Sequence, residues 1–124
     1  MRVLIADDNK EIRSALTLVL REMWPNCEIA EVGQAADAVT RLDNWSPELV
    51  LLDWHLEGGP TVTRSIRKRY PACAVVAMSS LPEERDEALR SGATAFIATN
   101  DPPDVLINLL ARLGNHERLA DPTV

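Results

Sequence analysis

Four short apolar runs in this 124-residue chain each end in residues able to do polar chemistry. Residues 3–6 lead into Asp7 and Asp8, and residues 49–52 lead into Asp53. Residues 74–78 lead into Ser79, and residues 95–98 lead into Thr99. Three carboxylates brought into one crevice repel each other and raise each other's pKa until a cation compensates. Mg²⁺ is the natural choice, because it takes carboxylate, carbonyl and water oxygens and commonly brings phosphate as a further ligand. Mn²⁺ suits the same oxygen set. A carboxylate in such a place can act as a nucleophile toward phosphorus, giving an aspartyl phosphate. A metal then neutralises charge on the phosphoryl oxygens, and a hydroxyl at the end of the fourth run can hydrogen-bond one of them. Each residue alone has a plain reading: Asp7 and Asp8 as helix caps, Asp53 as a loop acid, Ser79 as a strand-end hydroxyl. Their shared position at the ends of successive apolar runs is what favours a site.

The elements that must hold these residues alternate along the chain. Ile12, Ala15, Leu16, Val19, Leu20 and Met23 recur at helical spacing after the first run, with Asn9 or Asp8 as cap and Pro25 as stop. Residues 28–32 alternate and carry acids, as an edge strand does. Ala35, Ala38, Val39 and Leu42 form a second helical stripe ending near Trp45, Ser46 and Pro47. Gly58, Gly59 and Pro60 read as a loop; Val62, Ile66 and Tyr70 then mark a third helix closed by Pro71. Residues 82–91 form a fourth, with Gly92 after its end. Val105, Leu106, Leu109, Leu110 and Leu113 form the fifth, which Gly114 is expected to end. Strand and helix alternating five times predict an α/β doubly wound, mostly parallel five-stranded sheet with helices on both faces. With strand order 2-1-3-4-5, strands 1 and 3 are neighbours, and ligands bind beyond their carboxyl ends at the switch point. The domain is expected over residues 1–114, with 115–124 a polar tail or the start of a linker.

Composition narrows the function classes. The chain is 46% hydrophobic, enough for one core, and no apolar run is long enough to span a bilayer. The amino-terminal residues lack a signal peptide's apolar length and cleavage site, so a cytoplasmic protein without membrane contact is expected. Net charge is −6, and the one basic cluster (Arg64, Arg67, Lys68, Arg69) reads as a solvated helix face rather than a nucleic-acid surface. Cys27 and Cys73 have neither CxxC nor metal-ligand spacing and read as small buried hydrophobes. His116 reads as a solvated tail residue.

The segments VLIADDN (residues 3–9), LVLLD (49–53), VVAMSS (75–80) and SGATAFIA (91–98) resemble the CheY-like receiver family of two-component signalling. The resemblance covers residues 2 to 113 and implies a flavodoxin-like (βα)₅ fold. It implies that Asp53 is the phosphoacceptor, that Asp8 ligates Mg²⁺, and that Asp7 ligates or supports it through water. The backbone carbonyl of His55 completes the metal site. Ser79 is the switch hydroxyl and Phe96 the strand-5 aromatic whose packing follows it. The implied donor is a sensor histidine kinase, a phosphotransfer protein or a small phosphodonor. The output is a surface of helix 4, strand 5 and helix 5 that meets an effector domain or partner protein. Homodimerisation through that surface or through helix 1 is open. The short spacing from Ser79 to Gly92 is similar to receivers that precede helix-turn-helix domains. The side chain of His55, two residues past the phosphoacceptor, is placed to tune phosphoryl lifetime.

The match breaks at Thr99, which stands where the family has a Lys. A hydroxyl supplies no charge, so the site is expected to hold three acids and no side-chain cation. The phosphorylated state should be less well stabilised, or the switch less tightly coupled. The alternative is a degenerate receiver that binds partners without phosphorylation. Two further readings fit less well. A Mg²⁺-dependent aspartate-nucleophile phosphatase would want a DxD pattern and a Lys. A flavin binder would want a phosphate-cradling loop after strand 1, where Asp7 and Asp8 repel phosphate.

Overall fold

The computed structural model describes the backbone of residues 1–120 and the side chains of residues 1–114. The elements alternate as the sequence predicts. They are β1 (Arg2–Ala6), α1 (Lys10–Met23), β2 (Glu28–Val32), α2 (Ala35–Trp45), β3 (Leu49–Asp53) and α3 (Gly59–Arg69). They continue with β4 (Ala74–Ser79), a 3₁₀ turn (Pro82–Glu84), α4 (Arg85–Arg90), β5 (Ala95–Ala98) and α5 (Pro103–Ala120). The five strands are parallel in the order β2-β1-β3-β4-β5.

Strands buried on both faces need apolar residues at every position, and this chain supplies them. On β1, Leu4 and Ala6 pack with Val50, Leu52, Val75, Ala77 and Phe96 under α2, α3 and α4. The intervening Val3 and Ile5 pack with Leu51, Val76, Met78 and Ile97 under α1 and α5, where Leu16, Leu20 and Leu110 meet them. A one-residue slip of any strand would exchange its two side-chain sets between these cores. The register is therefore fixed: Ala6 pairs with Leu52, Leu52 with Ala77, and Ser79 with Ala98. That register sets Asp7 and Asp53 level with each other at the carboxyl edge, with Ser79 one residue further along β4.

Asn9, not Asp8, caps α1; its Oδ1 accepts from the amides of Glu11 and Ile12 at 2.9 and 3.2 Å. Asp8 is thereby free of a capping role. Three boundaries differ from the sequence expectation. Residues 82–91, expected as one helix, divide into the 3₁₀ turn Pro82–Glu84 and the shorter α4, Arg85–Arg90. Gly59 and Pro60 belong to the first turn of α3 rather than to a loop, since a proline there lacks only an N–H that would have no helical partner. Gly114 does not end α5, which runs on to Ala120. Its hydrogen faces Trp24, where a Cβ would lie 3.0 Å from Cζ2, so this glycine serves helix–helix approach and not chain reversal. Residues 115–120 thus continue a helix, residues 121–124 lie outside the described residues, and the side chain of His116 does too.

Cys27 and Cys73 are buried and unpaired. Burial pushes the Cys73 thiol up to about 11, so it stays neutral and unreactive. In the basic cluster, Arg67 binds the carbonyls of Pro71 and Cys73 at 3.1 and 3.2 Å, and Arg69 pairs with Asp43 at 2.6 Å. No described helix is long and apolar enough to cross a membrane.

The turn into β5 depends on Gly92, which has φ +111° and whose added Cβ would lie 2.3 Å from Arg67 Cγ. Gly92→Ala is expected to cost about 2 kcal/mol from strain and crowding together, lowering the melting temperature by roughly 8 °C. Arg67→Ala alone should cost stability through its lost bonds to Pro71 and Cys73, and adding Gly92→Ala to it should cost less than adding it to wild type, because most of the crowding is gone. Thermal melts of the three variants check this, and a Gly92→Ala melt within a degree of wild type would refute it.

Candidate functional site

Asp7, Asp8 and Asp53 do meet. Each offers a carboxylate oxygen within 4.8 Å of the others at the carboxyl edge of β1 and β3. Asp7 is 4% exposed, Asp53 is half-buried and Asp8 faces solvent. Backbone amides orient the two inner acids. The Asn9 N–H donates to Asp7 Oδ1 at 2.8 Å, and the His55 N–H donates to Asp53 Oδ1 at 3.0 Å. The ladder also extends past the strands: the Trp54 N–H donates to the Met78 carbonyl at 2.8 Å, and the Thr99 N–H to the Ser79 carbonyl at 2.7 Å.

Burial, more than any neighbour, raises the Asp7 carboxyl above its ordinary value; the Asn9 amide opposes this, and the charges of Asp53 and Asp8 add to it. Asp53 is raised for the same first reason, opposed by the His55 amide and increased by Asp8 and Glu84. Both shifts describe carboxylates taken out of water beside other negative charge, with amides that offset only part of the cost. A hard divalent cation supplies what is missing, and an all-oxygen donor set of this kind fits Mg²⁺ or Mn²⁺.

The structure corrects the expectation that no side-chain cation is present. Arg13, on the first turns of α1, sets Nη1 2.7 Å from the Asp7 carbonyl and pairs through Nε with Glu31 at 3.2 Å. Its charge favours ionised Asp7. Arg13 sits four residues past the Asn9 cap, a spacing that could have flagged it.

Ser79 is 1% exposed. Its Oγ accepts the Leu81 N–H at 2.9 Å and donates to Glu84 Oε1 at 2.5 Å. His55 Nε2 lies 2.6 Å from the same Glu84 oxygen and 3.2 Å from Ser79 Oγ. Trp54, buried beside Asp53, donates from Nε1 to Glu87 Oε1 at 3.0 Å. Glu84 and Glu87 were not anticipated; their spacing of three on the segment after Ser79 is the only sequence signal for them. Phe96 is not among these polar contacts. It is 7% exposed and packs in the core with Ala77 and Ala88. Thr99 is exposed at the end of β5.

In metal-free protein the raised Asp7 pKa has a definite sign. The folded state holds that proton more tightly than the unfolded chain, so stability falls as pH rises from the ordinary carboxylate pKa to the raised one. Above that, the cost is complete. Asp7→Asn should therefore melt roughly 2–5 °C higher than wild type at pH 7 in chelator. The gap should close once pH drops below the ordinary carboxylate range. A lower melt for the variant at pH 7 would contradict the assignment.

Residues 3–111 match the family profile described as response regulator receiver domain. Among curated proteins, the chain is 36% identical over 105 residues to a protein-glutamate methylesterase/protein-glutamine glutaminase of Rhodopseudomonas palustris, covering 78% of this chain and 28% of that protein. It is 30% identical over 127 residues to the transcriptional activator protein ExaE of Pseudomonas putida, covering 98% of this chain and 59% of that one. The chain thus spans less than two thirds of the length of either relative. Among solved structures, the receiver domain of NtrX from Brucella abortus superposes with TM-score 0.78 at 29% identity, covering 89% of this chain and 95% of that one. The chemotaxis response regulator CheY4 of Vibrio cholerae, at 20% identity and TM-score 0.78 over 90% and 96% of the two chains, shares the fold. With the profile matched from the first strand into the last helix, the chain belongs to the response regulator receiver domain family.

Proposed function

We propose that Asp53 accepts a phosphoryl group in a Mg²⁺-dependent reaction and that the modified domain passes a signal to a partner surface. The observation that carries this is the convergence of Asp7, Asp8 and Asp53, with oxygens within 4.8 Å of one another on two adjacent strand ends. Asp7, Asp8, Asp53 and the His55 carbonyl would hold the cation, with Mn²⁺ an acceptable substitute. When bound, it lowers the charge repulsion between the incoming phosphoryl oxygens and the acids.

The rest is the work of the chain. An Asp53 oxygen attacks phosphorus; the new O–P bond forms as the donor's P–N or P–O bond breaks, and the leaving group keeps the electron pair. The His55 amide, bonded to Oδ1, fixes the plane of the attacking carboxylate. Ser79 stands at the neighbouring strand end to donate to a phosphoryl oxygen, and Phe96 answers its movement through the core beside α4. Thr99, at the position of the family's Lys, supplies no ammonium, so phosphorylation is weakly stabilised. The donor is a sensor histidine kinase, a phosphotransfer protein or a small phosphodonor in the cytoplasm. The responding surface (α4, β5 and α5) meets an effector domain or partner protein, with direct nucleic-acid contact left to others. The domain takes in residues 1–114, and α5 carries the chain past that point to Ala120.

Incubation with acetyl phosphate and Mg²⁺, read by intact mass, should add one phosphoryl group. Asp53→Asn and metal-free samples should add none. No added mass under conditions that modify an ordinary receiver would favour a phosphorylation-independent binding module. Separately, His55→Ala should alter the phosphoryl half-life by about threefold or more, because its ring, two residues past the acceptor, lies 3.2 Å from Ser79 Oγ and can handle a proton there; removing one proton-transfer group has effects of this order or larger. An unchanged half-life would end that role for His55.

A further inference from the structure

Ser79 has one hydroxyl proton, and Glu84 holds it. The 2.5 Å contact to Glu84 Oε1 is a charge-assisted hydrogen bond, and Ser79 is 1% exposed, so water does not stand in as a partner. A carboxylate only accepts, so His55 Nε2, 2.6 Å from the same oxygen, donates to it as well. One glutamate oxygen therefore gathers the switch hydroxyl and the side chain two residues past Asp53.

Glu84 is brought there by local structure. Its own N–H donates to the Leu81 carbonyl at 3.0 Å, closing the 3₁₀ turn. One turn later, Glu87 accepts the Trp54 indole N–H at 3.0 Å. The start of α4 is thus tied at two points to the segment Trp54–His55 that follows the acceptor. α4 itself has six residues and buries only Ala88, so these side-chain ties are a large share of what holds it.

A phosphoryl group on Asp53 and the Glu84 carboxylate need the same proton of Ser79. They also carry the same sign of charge. We propose that Glu84 is a positioning residue that latches Ser79 and the 3₁₀ turn leading into α4 in the resting arrangement, and that phosphorylation acts by winning Ser79 from it. The latch rests on the phosphoacceptor reading above and deepens it. Release frees the 3₁₀ turn that starts α4 from Ser79, so the signal leaves the site through Glu84. The Lys that would pull phosphate and switch together is replaced by Thr99, which makes the strength of the latch decisive here.

The test uses the full chain with Mg²⁺ and fluoroberyllate as a phosphoryl mimic, titrated by the amide resonances of Leu81 and Thr99, with acetyl phosphate and intact mass in parallel. Glu84→Ala should bind fluoroberyllate about tenfold more tightly than wild type, or about 1.4 kcal/mol. Glu84→Gln keeps an acceptor for Ser79 but loses the charge, and should gain about threefold; it also carries the test should the alanine variant fold poorly. In a Ser79→Ala chain, Glu84→Ala should gain less than about threefold. Equal or weaker binding by Glu84→Ala would overturn the latch, and so would an undiminished tenfold gain without Ser79, which would reduce Glu84 to a repelling charge. If neither wild type nor any variant takes up mimic or phosphoryl group, the phosphoacceptor reading fails and the latch with it. Uptake at equal affinity in all of them refutes the latch alone.

Discussion

The site depends on the register of a parallel sheet whose strands are apolar on both faces. Odd and even residues of β1 and β3 fill different cores, so neither strand can slide without inverting both. Burying each Leu or Val contributes roughly 1.5–3 kcal/mol, and several such residues secure each strand. That is ample to hold Asp7 and Asp53 level at one edge, although their charges and burial oppose it. The most rigid part of the molecule thus carries its least comfortable charges. A divalent cation would relieve these acids while leaving Asp53 ionised, as a nucleophilic carboxylate must be.

Charge around the acids is uneven. Arg13 supports Asp7 from α1, while Glu84 adds negative charge beside Asp53 from the other side. Stiffness is uneven in the same way. Asp53 ends a central strand, whereas the 3₁₀ turn and α4 that carry Glu84 and Glu87 bury only Ala88. Elements with few buried apolar contacts are those that rearrange at low cost. On the proposed reading a change at Asp53 would pass toward α4 rather than into the sheet, and the side chains that link the two in this structure are His55, Ser79 and Trp54.

The fold was almost fully legible in the sequence. Continuous apolar runs, helical stripes, and Pro and Gly punctuation are local signals, and together they implied five strands and five helices; the strand order, which the structure bears out, came with the resemblance to the receiver family. The errors were local too. Gly114 read as a helix stop because its contact with Trp24, ninety residues earlier in the chain, leaves no mark in its own neighbourhood. Gly59 and Pro60 read as a loop because the same residues suit either a turn or a helix's first turn.

The acid cluster was legible because strand ends are fixed by local pattern, and a parallel sheet brings such ends to one edge by rule. Residue type and position were then enough to name Asp7, Asp8, Asp53 and Ser79. Arg13, Glu84 and Glu87 were not legible as site residues, since charged residues on helices are ordinarily solvated. Only the packing angles of α1 and the turn into α4 decided that these three side chains reach back over the sheet edge. The sequence by itself determined which groups could do chemistry. The tertiary structure decided which charges and hydrogen bonds surround them, because those partners come from other elements, at distances that no local pattern encodes.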